Sequence, residues 1–491
     1  MKLHFDSPTA PIAAALSAIV QVGQDLWVGG DEGTTLAGLR RDAHGAWRVV
    51  QTLDLSTVLA LPREAEPGKE IPEIDIEGLD WHDGFLWVVG SHSLKRGKPK
   101  PKDDVAEALD DLHKVKADGN RYLLARVPLA LDAAGRSTPD PLRRPAQLAG
   151  NAFGSALLSE LAGDEHFRRF LPAQGAAAEK SNLPGKDNGL DIEGLAVADG
   201  GRVFVGLRGP VLRGWAAIVE LKVTVEAEPG EVDVLALDPV TDDGGKYRKT
   251  FLELDGLGVR DLAWDGRDLL ILAGPTLALD WPATVFRWAK AAAPATGGHR
   301  FVWQKDGALN KTGLGGLLPF RAGQDHAETI ARLAAGPVFP TGGFLIAYDS
   351  PSHERLVSAT ELLIDLYQPS APSGYESWAR QLDPSSLAEE LWLLAWETAA
   401  PADIHGGCAN DLRDFIGSAA SRVLADGRTS PAELAQVAAS LRYLVLALRQ
   451  QAVLLGHPDW IGEDTLSALQ QRAKALATFE LYPFWPPFWK T

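Results

Sequence analysis

Two copies of the segment Asp-Ile-Glu-Gly-Leu, Asp75–Leu79 and Asp191–Leu195, each set two carboxylates two positions apart. Separately these carboxylates are unremarkable, and only convergence of the copies would make them a site. Weaker copies lie at Val259-Arg260-Asp261-Leu262-Ala263, where Arg260 takes the glutamate slot, at Glu328-Thr329-Ile330, and early in the chain at Ser17-Ala18-Ile19. If the copies converge, Asp75, Glu77, Asp191, Glu193, Arg260, Asp261 and Glu328 surround one centre. Carboxylates at short range cannot all ionise without a cation. An oxygen-seeking divalent ion, Ca²⁺ or Mg²⁺, held by Glu77 and Glu193 would meet that need. So would the guanidinium groups of Arg208 and Arg260, which would leave an ion-pair ring that only fixes packing. Oxygen donors with one histidine and no thiolate suit a hard cation better than a soft one.

Each strong copy leads into an apolar run whose glycine, Gly90 or Gly206, lies 13 positions after the glutamate. Two positions further stand His92 and Arg208. His92 has the ordinary pKa of a general acid or base, about 6.5, and is otherwise a hydrogen-bonded structural histidine. Arg208 and Arg260 suit stabilisation of developing negative charge. Directly after His92, Lys95–Lys102 carries five basic residues in eight. Lys95 and Arg96 there can gather an anionic ligand, or the stretch is a solvated loop that guards a sheet edge. Asp349 follows the last apolar run. No dinucleotide signature is present: Gly313-Leu314-Gly315-Gly316 lacks the strand and helix that such a site needs. No nucleotide or organic cofactor is therefore expected.

These residues need strands to hold them. Each copy reads as strand, Gly/Asp turn, strand, with turns such as His82-Asp83-Gly84 and Asp199-Gly200-Gly201. The second strand of each is a near-continuous apolar run, as expected of a strand buried on both faces. A further strand follows after a connector. Repeats of this kind at intervals of about 60–70 residues predict a mainly β protein, a β-propeller of five or six blades. The wide gap between Glu77 and Glu193 holds either a hidden blade or an insertion. The segment Pro11–Val22 reads as the first strand region. The repeats span residues 1–368, a Pro/Ser linker occupies 369–377, and 378–491 switches to helical periodicity, a smaller α-helical domain with an aromatic-rich tail.

Two functional classes stay open. One is a hydrolase of an anionic ester or phosphoester, in which Glu77 and Glu193 hold a metal or an attacking water, His92 moves protons and Arg208 stabilises charge. Lys95, Arg96, Arg260, Asp261, Glu328 and Asp349 would then bind the substrate. The other is a non-catalytic propeller that binds a ligand or protein, with the helical domain available to a protein partner. The 491 residues carry 48 Lys+Arg against 65 Asp+Glu, a net charge of −17, which argues against nucleic acid as a partner. No apolar stretch is long enough to span a membrane. A single cysteine, Cys408, suits a reducing compartment, so a cytoplasmic location is expected.

Asn188–Leu195 together with Gly206–Trp215 resembles a bacterial family, domain of unknown function 3616, and Gly90–Arg96, Val259–Trp264 and Tyr348–Pro351 fit the same pattern. The resemblance covers about residues 12–368. It implies a propeller-like fold similar to the esterase-like domains named after phytase, which share the Glu-Gly-Leu motif, and implies no assigned activity. Glu328-Thr329-Ile330 stands where Glu-Gly-Leu is expected, so a distorted strand start is expected there.

Overall fold

A computed structural model describes residues 1–367, except 44, 70, 172–182, 278–282, 294–296, 312–322, 337–338 and 340–341. The expected linker and helical domain lie outside the described residues. The described part is mainly β, with helices only at Ala10–Ala14, Val105–His113 and Ala156–Leu161 besides short 3-10 turns. Ala10–Ala14 corrects the reading of Pro11–Val22 as strand throughout. Pro11 favours the first helical turn, and the strand begins only at Leu16.

Among the described residues, five antiparallel modules follow one another. Their first two strands are Leu16–Val22 with Asp25–Gly30, Ile76–His82 with Phe85–Gly90, Asp191–Ala198 with Arg202–Leu212, Gly258–Asp265 with Asp268–Gly274, and His326–Leu333 with Gly343–Asp349. Third strands pair outward at Thr35–Arg41, Leu124–Leu131, Trp215–Glu226, Thr284–Trp288 and Asp365–Tyr367. The first strand of each module touches the first strands of the modules before and after it, and that of the fifth touches that of the first, so the inner strands close a ring.

The core lies between module faces, and strand alternation explains why. Leu86 and Val88 pack toward module 1 with Trp27 and Leu36, whereas Phe85, Trp87 and Val89 pack toward module 3 with Leu195 and Val203. A second strand buried on both faces needs apolar residues at every position, which is the continuous run seen in the sequence. The glycine of the repeated motif has a related cause. A Cβ at Gly78 would lie 2.7 Å from Leu195 Cβ, and one at Gly194 would lie 2.8 Å from Leu262 Cγ, so the next inner strand fits only against glycine there.

The gap between Glu77 and Glu193 holds insertions instead of another inner strand among the described residues. Lys95–Arg96 pairs with Val115–Lys116 around the helix Val105–His113, which Asp104 and Glu107 start with a reciprocal capping box. The basic stretch is thus not a plain loop. At the module-1 edge, Lys2–His4 joins Trp47–Asp54 in parallel and Glu361–Leu363 antiparallel. No described helix is long and apolar enough to cross a membrane.

Candidate functional site

All five inner strands break register at the same place. Leu16 pairs with Gly30 and Ala18 with Gly29; Ile76 with Gly90 and Gly78 with Val89; Ile192 with Leu207 and Gly194 with Gly206. Val259 and Asp261 flank the fourth break, Ala327 and Thr329 the fifth. The extra residue of each β-bulge is therefore Ser17, Glu77, Glu193, Arg260 and Glu328. A bulge re-aims a side chain at a strand end, and here it does so once per module around a closed ring. The Glu328 strand shares the bulge of the others, so the distortion expected at Glu328-Thr329-Ile330 is absent from that pairing.

The ring is charged and dry. Carboxylate oxygens of Glu77, Glu193 and Glu328 lie within 4.8 Å of one another, and all three residues are buried. Arg208 Nη1 donates to Glu193 Oε1 at 2.8 Å and lies 3.5 Å from Asp191 Oδ2. Arg260 Nε stands 3.0 Å from Glu193 Oε2 without the alignment of a hydrogen bond, and its Nη2 pairs with Glu328. Ser17 Oγ is spent on the Ile76 carbonyl. Beside the ring, Arg121 Nη1 pairs with Asp75 at 2.8 Å and Nη2 with Glu73 at 2.6 Å. Glu77 has neither an ion pair nor a hydrogen bond among the described residues.

Burial, reinforced by Asp75, Glu193 and Asp191, pushes the Glu77 carboxyl well above the carboxylate range. Burial also raises Asp75, against the pull of Arg121, and lifts Asp191 to about 7 against the pull of Arg208. A group of this kind can take a proton or a cation, and either one relieves the same cost.

His92 and Arg208 do not occupy equivalent positions. The module-2 turn has two residues between paired ends, Asp83-Gly84, and the module-3 turn has three, Asp199-Gly200-Gly201. That one-residue difference puts Ser91 where module 3 has Arg208. His92 instead lies fully buried at φ 54°, with Nδ1 2.9 Å from the Gly90 carbonyl oxygen and its ring edge-on to Tyr122. Burial lowers its pKa to about 4, which keeps the imidazole neutral. This is the environment of a packed histidine, not of one that meets a substrate.

Asp261 follows the bulge and turns to module 5. Its Oδ2 accepts from Thr329 Oγ1 at 2.6 Å and from the Ile330 amide at 2.8 Å, so it clasps neighbouring inner strands and stays out of the ring. Glu328 is in the ring. Asp349 is half-buried at the end of its strand, where it pairs with His326. Lys95 pairs with Glu73 at 3.0 Å and Arg96 with Asp187 at 2.6 Å, so both basic residues are already engaged with carboxylates. The sequence reading missed Ser17 as a ring member, and also Arg121 and Asp31. The Gly30-Asp31 end of the first apolar run was the available signal for Asp31; Arg121 follows an insertion and carries no motif.

No curated protein matches the sequence. Among solved structures, the chain is similar to Myxococcus xanthus glutaminyl cyclase at 10% identity, covering 75% of this chain and 96% of that one, with a TM-score of 0.29. It is also similar to Kluyveromyces lactis Hsv2 at 12% identity, covering 72% and 98%, with a TM-score of 0.20. Likenesses of this size say nothing of activity. The sequence itself places the chain more firmly: residues 15–365, well over half of it, match one family along the bulged inner strands just described, and the protein belongs to the family described as Protein of unknown function (DUF3616).

Proposed function

We propose that the five modules are the blades of a five-bladed propeller, and that their central ring binds a divalent, oxygen-seeking cation at which an anionic ester or phosphoester is hydrolysed. The observation that carries this reading is Glu77, a buried carboxylate without a partner among the described residues, whose oxygen lies within 4.8 Å of those of Glu193 and Glu328. Ca²⁺ or Mg²⁺ takes such oxygens. When bound, the ion would polarise an ester or phosphoryl oxygen and acidify a water. It also answers an electrostatic difficulty, since an anionic substrate would otherwise approach a ring in which carboxylates outnumber arginines. Arg208 and Arg260 hold Glu193 and Glu328 in place and add positive potential on one side. With His92 neutral in the core, the proton-transfer role expected of it finds no support at this site.

A second reading has its own support. Arg260 stands between Glu193 and Glu328 and neutralises both sides of the ring without an ion, as a binding scaffold with a structural network requires. One experiment separates them. Thermal unfolding of the full chain is followed in excess Ca²⁺ or Mg²⁺ and in EDTA, alongside a panel of phosphoester, carboxyl ester and lactone substrates. The cation reading expects a higher melting temperature with metal and metal-dependent turnover that Glu77→Gln abolishes. An unchanged melting temperature with no turnover leaves the scaffold.

A further inference from the structure

Arg260 fills the bulge position that carries a glutamate in modules 3 and 5, Glu193 and Glu328. Its contacts differ in kind from those of Arg208. Arg208 Nη1 donates an aligned hydrogen bond to Glu193 Oε1 at 2.8 Å. Arg260 Nε stands 3.0 Å from Glu193 Oε2 and its Nη2 pairs with Glu328 Oε2, yet Nε and both of these oxygens lack an aligned hydrogen bond. Charge alone accounts for these two contacts, at a residue that is 5% exposed. The carboxylates that Arg260 faces are also the ones with ligating geometry. Oxygens of Glu77, Glu193 and Glu328 lie within 4.8 Å of one another, and Glu77, which completes the trio, has no partner among the described residues. Arg208 is shared between Glu193 and Asp191. Three ionised glutamates against the one guanidinium of Arg260 therefore leave two negative charges, which is the charge of a dication.

A dication and a guanidinium compete for the same oxygens, and at this range they repel each other. We infer that cation binding at Glu77, Glu193 and Glu328 frees Arg260 from its two glutamates, and that the freed guanidinium takes the anionic group of the ligand, so that cation and anion bind together. This assignment rests on the cation reading above and deepens it. A buried guanidinium stripped of its carboxylates is left with an uncompensated desolvation cost, which an anion removes. Paired N–H donors in a plane match two oxygens of a phosphate or carboxylate group, so the ligand is one that places such a group beside the metal. Without the cation, Arg260 stays paired and an anion meets carboxylates instead. The stem of Arg260 runs over Gly274, where a Cβ would lie 3.0 Å from Arg260 Cγ, so module 4 offers it a surface without a side chain.

The test is calorimetric titration of the full-length chain with MgCl₂, with inorganic phosphate, and with each in the presence of the other, corrected for their association in buffer. Wild type should bind phosphate at least about fivefold more tightly with Mg²⁺ present, and Mg²⁺ more tightly by the same factor with phosphate present. Arg260→Met removes the competitor of the cation. It should bind Mg²⁺ more tightly than wild type and lose the coupling to phosphate. A residue that only props the ligands in place predicts the opposite, a loss of Mg²⁺ affinity of about tenfold or more. Melting in Mg²⁺ shows whether Arg260→Met is folded. If it is not, Arg260→Lys stands in, since it keeps the charge without the paired donors and should lose most of the coupling. Mg²⁺ binding without coupling in wild type, weaker Mg²⁺ binding by Arg260→Met, or coupling that survives in the variant overturns the role of Arg260 and leaves a cation at the ring. No Mg²⁺ binding by wild type overturns the cation reading as well.

Discussion

Modules 2 and 3 carry the same five residues at the same bulge, yet the two glutamates face opposite electrostatic conditions. Glu193 lies between Arg208 at 2.8 Å and Arg260 at 3.0 Å. Glu77, 116 positions earlier in the sequence, has no partner among the described residues. The cause sits across the hairpin. Where module 3 places Arg208, module 2 places Ser91, whose hydroxyl helps to hold Asp75. Module 2 does recruit a guanidinium, Arg121, but it arrives from beyond an insertion and serves Asp75 and Glu73. A repeated motif therefore fixes a backbone shape, the bulge and the close glycine contact, while the neighbouring strand decides whether the glutamate meets a guanidinium.

The sharpest way to break this comparison is to remove the shared strut. Arg260→Met takes away the cation that Glu328 pairs with and leaves Glu193 with Arg208 alone in a buried site. Removing one partner of a buried pair costs about 3–5 kcal/mol, because the remaining charge is left uncompensated. Glu77→Gln removes a carboxyl that has no pair among the described residues, so urea unfolding should show no loss for it. Similar losses in both variants would mean that Glu77 is as structural as Glu193.

A smaller effect sharpens the same contrast through pH. The folded pKa of Glu77 lies well above its unfolded value of about 4.3. Folded chains then hold a proton that unfolded chains release, so this contribution to stability is complete below about pH 4 and is lost as pH rises through the folded pKa. Asp31 and Asp191, each raised to about 7, add in the same direction up to that pH. Without divalent ions, melting temperature should therefore fall between pH 5 and pH 8. Glu77→Gln should flatten that fall and exceed wild type at pH 8 by something of order 1 kcal/mol for each pKa unit removed. Added Ca²⁺ should flatten it in wild type as well. A wild-type melting temperature that climbs over this range contradicts the burial of unpaired acid.

Much of this arrangement was legible beforehand. Period-two apolar runs and Gly/Asp turns gave the strands, and the spacing of Glu77, Glu193, Arg260 and Glu328 gave ring members, because a backbone repeat and its bulge recur with the motif. Two things were not legible. Counting from the glutamate equated His92 with Arg208, since a one-residue difference in turn length is invisible until the pairing is known. Asp261 looked like a ring member because it adjoins Arg260, but the residue after a bulge turns to the neighbouring strand. Arg121 was hidden for a different reason: its contacts with Asp75 and Glu73 are made across 46 and 48 positions of sequence, where no local pattern points.

The smallest expected effect concerns the basic stretch, the feature that most contradicts the acidic whole. Lys95 is 60% exposed, and its pair with Glu73 at 3.0 Å is open to water. Exposed pairs contribute about 0–1 kcal/mol, and salt screens them further. Glu73 also keeps its shorter bond to the buried Arg121, 2.6 Å, so Lys95→Ala should leave the urea midpoint almost unchanged. The informative readout is binding of an anionic ester at low and high ionic strength. If the stretch gathers the ligand, Lys95→Ala weakens binding at low salt by a factor that shrinks as salt is added, with stability untouched. If affinity is the same at both salt concentrations, Lys95 only caps the outer end of the Glu73–Arg121 pair, and the attraction of an anion to this acidic protein has to come from the cation and the arginines of the ring.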